Sequence, residues 1–303
     1  MATLFNDLLF AQTAFQQVVN QLAPLRAFST DLSAIAGSPG ASITVPLFGS
    51  ATTTTYAEAS DVMEQTGGSI TAITVTLNSR KITPVDITTT QLANSANAGN
   101  FDALAFQMSS SMASTVFQDI LSVFTVTNYG VPTTTASANF KLDAIAAVRT
   151  ALNSKKCPRI GRSLILDAGV EAGIFSDTNI VLALNRGGSQ TINEGDIGRL
   201  LGFDIYTPNS FPALGISLIG IGVGRGAAAV AFRGVQDLVP ENDYVAREVL
   251  TDAETGISML YTRHWSRAAG KFFCNLQALY GYAKAITLQG HCITTATDRK
   301  SVV

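Results

Sequence analysis

Apolar residues recur every three or four positions between Asn100 and Thr127, which is the spacing of one face of an α-helix. Asn100 is a suitable N-cap, and Gly130 and Pro132 are expected to stop the helix. Ser and Thr occupy the opposite face, where a solvated helix normally carries Glu and Lys, so we expect protein on more than one side of this helix. The apolar positions are Phe101, Leu104, Met108, Met112, Val116, Ile120 and Phe124.

A second amphipathic pattern predicts a helix within residues 3–23. Such a helix can dock on its own domain or form an arm that packs on a neighbouring subunit, and we favour the arm. A helix on a membrane surface is disfavoured because the polar face lacks Lys and Arg. The apolar positions are Leu4, Leu8, Ala11, Phe15, Val18, Val19 and Leu22.

Residues 41–90 alternate apolar side chains with Thr and Ser, which predicts strands near 43–47, 73–77 and 82–87. The four-residue break at 78–81 predicts that the last two strands form a hairpin. Pro84 cannot donate a ladder hydrogen bond, so it indicates an edge strand or a bulge. A two-stranded ribbon has too little core to be stable alone and must lie on something, for which another subunit is a candidate.

The remaining sequence mixes helical and extended patterns and predicts the α+β class. A second helix follows with Leu142, Ile145, Val148 and Leu152 on one face, and 164–166 reads as a short buried strand. Residues 167–184 read as helical or mixed, and 216–232 form a Gly- and Ala-rich apolar run. Alternation predicts further strands near 203–207, 257–261, 272–276 and 285–288.

The chain is poor in charge. Charged residues make up 14% of the 303 positions and the formal net charge is −2, so no strong overall field attracts nucleic acid or membranes. A low-charge surface rich in small polar residues is easily desolvated, which favours self-association. Cys157, Cys274 and Cys292 are predicted to be reduced thiols, because their spacing fits no disulfide framework. No secretory signal and no membrane-spanning run is recognised.

The candidates for catalysis or cofactor binding are weak. Gly222–Ala227 fits G-x-G-x-x-A, but a dinucleotide site needs this loop to open a helix in a βαβ unit, and the context favours a Gly loop between strands or at a symmetry axis. His291 and Cys292 are adjacent, so on a strand they point to opposite faces. We therefore predict no catalytic, cofactor-binding or metal residues, no cofactor and no enzyme activity.

Two basic clusters are candidates for contact with phosphates. The first is Lys155, Lys156, Arg159 and Arg162, and the second is Arg263, His264, Arg267 and Lys271. No aromatic residue is interleaved in the first cluster for base stacking, so a solvated loop is the favoured interpretation. Trp265, within the second cluster, is interpreted as an interface or core anchor.

The order of these parts, taken with several local motifs, resembles the major capsid proteins of tailed double-stranded DNA phages, with the Hong Kong 97-type capsid fold. The passage from Gly195 to Tyr206 is similar to the family pattern G-x-I-G-x-x-x-G-F-x-I/V-Y, and a short loop with Asn209 and Pro212 follows. Gly256-Ile257-Ser258, Gly270 and Tyr280-Gly281 are similar to its closing strand pair. The likeness covers nearly the whole chain.

This resemblance implies an N-terminal arm at 1–40, an extended β-hairpin loop at 41–90, and a long spine helix with part of a peripheral domain at 91–149. It places an axial domain at 150–240 and peripheral-domain strands and the C-terminus at 241–303. Hexamers and pentamers would form the icosahedral head around the phage double-stranded DNA genome, with the arm and extended loop contacting neighbouring subunits. Lys81 would lie near the loop tip, but no surrounding motif supports covalent crosslinking there.

The implied partners are the chain itself, a separate scaffolding protein, a portal, a decoration protein and, non-specifically, packaged double-stranded DNA; no membrane is implied. The implied location is the virion capsid, assembled in the host cytoplasm. Two alternatives stay open. One is an encapsulin-like nanocompartment shell, and the other is an enzyme that binds a nucleotide at its Gly loop.

Overall fold

A computed structural model describes residues 6–31, 38–48, 70–93, 98–178, 198–208, 211, 218–235, 244–252 and 255–295. The α-helices in these ranges are α1 Asp7–Gln21, α2 Thr89–Ala93, α3 Ala98–Leu121, α4 Val126–Tyr129, α5 Leu142–Ser154 and α6 Glu171–Phe175. The strands are β1 Ser29–Asp31, β2 Ser42–Phe48, β3 Ile70–Thr76, β4 Ser79–Thr88, β5 Thr133–Thr134, β6 Arg162–Leu166, β7 Arg199–Leu200, β8 Phe203–Tyr206, β9 Leu218–Gly224, β10 Ala228–Arg233, β11 Ala246–Thr251, β12 Ser258–Ser266, β13 Lys271–Lys284 and β14 Gly290–Thr294.

The predicted long helix is present as α3, and its central apolar residues Met108, Met112, Val116 and Ile120 are fully buried. Its bounds differ from the prediction. The helix begins before Asn100, which is therefore not its N-cap, and it ends at Leu121 rather than near 127. A separate short helix follows, because the Thr125 side chain accepts a hydrogen bond from the Asn128 N–H and caps α4.

The N-terminal helix α1 packs on its own chain. Phe10, Ala14 and Val18 are buried in the main core, which also holds the apolar face of α3. The Ser109 hydroxyl of α3 donates to Gln17 Oε1 at 3.2 Å. The preference for an arm that packs on a neighbouring subunit is therefore wrong for residues 7–21, and docking on the same domain is what the structure has. The reason is that the predicted apolar face is satisfied within the chain.

The first sheet is built around β13, the longest of the described strands. Residues 271–278 of β13 pair antiparallel with β12, and 279–284 pair antiparallel with β10. Residues 271–280 also pair antiparallel with β4. Since Ala278 has partners in both β12 and β4, and Leu279 in both β10 and β4, β4 occupies one edge of β13 while β12 and β10 share the other. β11 extends this sheet beyond β12, and β1 extends it beyond β10.

The predicted hairpin between residues 73–77 and 82–87 is wrong. β3 pairs antiparallel with β2, Ile43 facing Val75, whereas β4 pairs with β13. The short link at Leu77 and Asn78 leads from β3 to β4 without pairing the two strands, and Leu77 is buried against the first sheet. β4 has only β13 as a partner in the described pairings, which agrees with the edge position predicted from Pro84.

The ribbon of β2 and β3 lies against the first sheet of its own chain. Val45, Val75 and Leu77 form a buried cluster with Ala229, Ala231, Leu260 and Leu279 of that sheet. Gly281 of β13 permits this contact, because an added Cβ would collide with the Thr76 carbonyl. The ribbon therefore has a core where it meets the sheet. Residues 49–69, which lie between its two strands, are outside the described residues.

The second sheet has the strand order β5-β14-β9-β6-β8-β7. Helix α5 covers one face, where Val148 and Leu152 join Leu164 and Leu166 in a separate buried cluster. Ile165, Ile221, Val223 and Cys292 belong to the main core instead. The two sheets are therefore linked through a continuous apolar interior.

Other predicted elements are present with shifted bounds. The second helix, the buried strand at 164–166 and the strands at 203–207, 257–261 and 272–276 correspond to α5, β6, β8, β12 and β13. The strand predicted at 285–288 is wrong, because β13 continues to Lys284, Thr287–Gln289 is a 3₁₀ turn and the last strand is β14. Residues 179–197, Asn209 and Pro212 lie outside the described residues.

The predicted division of the chain at residue 240 stays a prediction. β10 precedes this point and belongs to the first sheet with β13, whereas β14 follows it and belongs to the second sheet with β9.

Candidate interaction surface

The Gly-rich passage Gly222–Ala227 is the end of β9 and the turn that leads to β10. No helix follows it, so the phosphate-binding geometry of a dinucleotide site is lacking. Because its glycines lack side chains, they leave room for neighbouring side chains. A Cβ on Gly222 would lie 2.6 Å from Val148 Cγ1, and one on Gly226 would lie 2.7 Å from Gln289 Oε1. The interpretation as a Gly loop between strands is confirmed.

The histidines and cysteines do not form a nucleophilic pair in the described part of the chain. His291 Nε2 lies 2.8 Å from Thr133 Oγ1, whereas His264 Nδ1 lies 3.5 Å from Asn275 Nδ2. Burial, and then the charge of Lys155, lowers the pKa of His291 to about 4. Burial raises the pKa of the Cys292 thiol to about 12, so the thiol is protonated at neutral pH. The three cysteines are free, as predicted, and all three are buried.

In the first basic cluster, two cations bind backbone carbonyls and two are exposed. Lys155 Nζ donates to the carbonyls of Tyr129 at 2.6 Å and Gly290 at 2.7 Å. Arg162 is buried, and its Nε donates to the Pro158 carbonyl at 2.8 Å. Lys156 and Arg159 are exposed. The prediction of a solvated loop is therefore right for two of the four cations and wrong for the other two, which fix the loop in place.

Two members of the second basic cluster, Arg263 and Lys271, form ion pairs with carboxylates of their own chain. Arg263 Nη2 lies 2.9 Å from Asp7 Oδ2, so it ties α1 to β12, and its guanidinium lies 5.2 Å from the centre of the Phe272 ring. Lys271 Nζ lies 2.7 Å from Asp86 Oδ2. Trp265 packs on Phe272 with ring centres 4.7 Å apart and keeps part of its surface exposed.

Lys81 is not at the tip of a loop. It lies in β4, and its Nζ is 3.0 Å from Asp119 Oδ2 of α3. Tyr280 donates to the same carboxylate at 2.6 Å. The predicted position of Lys81 is therefore wrong, because the strand that contains it pairs with β13 rather than with β3.

A groove of about 660 Å³ separates α1 from β11. Its lining residues are Gln12, Thr13, Phe15, Gln16, Gln17, Leu250 and Thr251. None of these side chains titrates, so the described residues of the lining supply no general acid or base. The described residues also include no cluster of three His, Cys, Asp or Glu that could hold a metal ion. No helix in the described ranges is both long and apolar enough to cross a bilayer.

Several large apolar side chains on the described surface are exposed to solvent. On α1, Leu8 and Leu9 are 45% and 61% exposed, and Phe106 of α3 is 56% exposed. Across the first sheet, Val249 pairs with Leu260, Leu260 with Gln277, and Gln277 with Ile82, so Val249 and Ile82 lie on the same face. Val245 precedes Val249 by four residues and therefore lies on that face as well. Apolar surface of this kind gains free energy when a partner covers it. The helical spacing placed Leu8 on the apolar face of this helix, although it is half-exposed, and it did not include Leu9.

Comparison with known proteins gives structural likeness alone. No protein-family model matches the chain, and no curated protein matches it. Among solved structures, the capsid of an empty GTA particle matches with a TM-score of 0.53 and 12% identity, over 91% of this chain and 90% of that chain. The mature capsid of bacteriophage PhiM1 matches with a TM-score of 0.51 and 8% identity, over 90% of this chain and 87% of that chain.

A structure from Mycobacterium phage Che8 also matches, with a TM-score of 0.51 and 16% identity over 84% of each chain. At these identities the comparisons establish the fold. The chain has the α+β fold of phage capsid structures, the Hong Kong 97-type fold, over most of its length.

Proposed function

We propose that this chain is the major capsid protein of a tailed double-stranded DNA phage, which assembles as hexamers and pentamers into an icosahedral head. The observation that carries the proposal is the fold shared with the capsids of the GTA particle and of PhiM1 over about nine-tenths of the chain. The low charge of the chain and its exposed apolar residues on α1, α3 and the first sheet support the same proposal.

Assembly through such a surface follows from elementary energetics. Each exposed apolar side chain that a second copy covers contributes about 25 cal/mol per Å² of buried apolar area. Few charges have to be desolvated, because charged residues make up only 14% of the chain. Contacts repeated around a closed ring add up, so weak individual interfaces give a stable shell.

The proposed partners are copies of the chain itself, a scaffolding protein, a portal, a decoration protein and the packaged DNA. The proposed location is the virion, after assembly in the host cytoplasm. The described residues around the histidines, the cysteines and the Gly turn support a structural role, because these groups serve packing and internal hydrogen bonds.

Sedimentation velocity and negative-stain imaging of the purified full-length chain test the proposal. We expect closed particles of megadalton size, against a chain mass of 31.8 kDa. Leu9→Asp and Val249→Asp place a charge on exposed apolar positions, so they should leave the subunit folded and prevent particles. Gln16→Asp, at an exposed polar position of α1, is the matched control and should still assemble.

A wild-type chain that sediments only as monomers or small oligomers would contradict the proposal. Particles that contain protein cargo instead of DNA would favour the encapsulin-like shell. Nucleic-acid content is read from the ratio of absorbance at the nucleic-acid and protein maxima across the particle peak.

A further inference from the structure

Basic side chains gather at one end of the second sheet, around the turn that joins β9 to β10. We call this group the basic rim. Its members come from the end of α5, the following loop and the first residue of β6, from the turn itself and from the end of β13. They are Lys155, Lys156, Arg159, Arg162, Arg225 and Lys284.

Strand register brings these separate segments together. Arg162 is the Cα partner of Gly224, the residue before Arg225. Lys284 is the Cα partner of Ala228, and the next two residues donate to the Ala227 and Gly226 carbonyls at 3.0 and 2.8 Å. Lys155 Nζ donates to the carbonyl of Gly290, which pairs with Val223. The segments that carry the rim therefore meet beside the same turn.

The segments that supply the rim contain no acidic residues. Residues 144–166, 205–236 and 255–297 contain no Asp or Glu. In the adjoining strand β8, Asp204 is paired with Arg199 at 3.6 Å. The chain as a whole carries a net charge of −2, so among the residues that the structure describes, positive charge is concentrated at this end.

The rim consists of a fixed base and four exposed cations. Arg162 and Lys155 donate to backbone carbonyls and hold the loop from 155 to 161 over the start of β6. Lys156, Arg159, Arg225 and Lys284 are exposed around that base. Because the base is held by internal hydrogen bonds, binding through the exposed cations costs little further backbone entropy.

We propose that the basic rim binds the phosphate backbone of duplex nucleic acid without reading base sequence. Lys and Arg bind phosphates mainly through charge, and displaced counterions provide the free energy. Residues 154–163, 224–228 and 284–290 contain no Phe, Tyr or Trp, and Tyr129 at this end is buried. Stacking platforms for single-stranded bases are therefore absent from these segments, which favours the duplex.

The expected signature is a steep dependence on salt. Four phosphate contacts give a slope of about −3.6 in log K against log salt, or roughly a 100-fold loss of affinity between 50 and 200 mM salt. A variant with one of the four exposed cations left should retain a slope of about −0.9. This inference concerns the subunit surface and does not depend on whether the chain forms shells.

The test uses full-length protein in fractions that sediment at subunit or capsomer size, with fluorescence anisotropy of a labelled 30-base-pair duplex. The rim variant combines Lys156→Asn, Arg159→Gln and Arg225→Gln; Asn suits position 156, where φ is +57°. The control combines Arg26→Gln, Lys141→Gln and Arg267→Gln, which remove the same charge from exposed positions elsewhere. Circular dichroism checks that both variants are folded.

We expect the rim variant to lose most of its duplex affinity and of its salt slope, while the control stays within a few-fold of wild type. Equal losses in the two variants would overturn the proposal, because only total charge would then matter. Absence of wild-type binding at 50 mM salt would overturn it as well. Tighter binding of a polyglutamate peptide than of the duplex would assign the rim to an acidic protein partner instead. Particle formation is scored separately, so failure of the shell leaves this result readable.

Discussion

Gly222 of β9 lies directly beneath α5, and its missing side chain sets how closely the helix approaches the sheet. An added Cβ would lie 2.6 Å from Val148 Cγ1 and 3.4 Å from Leu152 Cδ1. We predict that Gly222→Ala lowers the free energy of unfolding by about 1–3 kcal/mol, because the helix must shift or adopt strained rotamers. Urea denaturation measures this loss. Adding Val148→Ala removes the colliding methyl group, so the double variant should lose less than the sum of the two single changes.

His291 gives the stability of the subunit a defined pH dependence. Its pKa is about 4 in the folded chain, because the ring is buried and lies near Lys155, and about 6.5 in the unfolded chain. The unfolded state therefore binds more protons between these values, and stability falls as the pH drops from 6.5 to 4, by about 2 kcal/mol. Above pH 6.5 the contribution is complete.

Unfolding free energies of wild type and His291→Gln, measured across this pH range, check the prediction. The variant should lose this part of the pH dependence, whereas His264→Gln should keep it. A wild-type curve that is parallel to that of His291→Gln from pH 7 to 4 would contradict the assignment.

Sequence reasoning at the scale of single residues worked where chemistry is local. The sequence around Gly222–Ala227 lacks the strand series of a βαβ unit and favours a Gly loop between strands or at a symmetry axis; in the structure the loop lies between β9 and β10. The sequence could not show that Lys155 is bound to the Gly290 carbonyl, since the two residues are 135 positions apart in the chain. An exposed and a buried lysine look alike in a sequence.

Helix α1 is part of the subunit core. Deleting residues 1–24 would uncover the apolar faces of α3 and the first sheet, so we expect a destabilised subunit rather than a folded one that merely fails to assemble. Val18 is fully buried, and we predict that Val18→Ser lowers the unfolding free energy by about 2–4 kcal/mol.

Leu9→Ser is the matched control for that prediction, since Leu9 lies on the same helix and is 61% exposed. It should change the unfolding free energy by less than about 0.5 kcal/mol. Thermal and urea unfolding of both variants give the comparison. Equal stability of Val18→Ser and wild type would show that α1 is dispensable for the subunit.

Periodicity identified most of the elements but not their partners. The pattern of α1 predicted the helix, yet an apolar face is the same whether it packs on its own chain or on a neighbour. Alternation likewise predicted β3 and β4 without indicating which strands they pair with. Both corrections concern contacts between residues far apart in sequence, such as Lys81 with Ala278.

For the molecule as a whole, the order of elements was more informative than any single motif. A helix, a Thr-rich extended region, a long helix and a mixed core predicted the fold that the capsid structures share with this chain. The basic rim was only partly visible, because Arg225 and Lys284 join the loop at 155–162 through strand register. The signal that was available is the stretch without acidic residues from 255 to 297.

The position of β13 has a mechanical consequence. Its backbone is hydrogen bonded to β4 along one edge and to β12 and β10 along the other. Antiparallel ladder bonds run perpendicular to the strand, so a force along β13 loads many of them in shear at the same time. Tension in that direction is shared by three neighbours, and the strand becomes the stiff axis of the subunit.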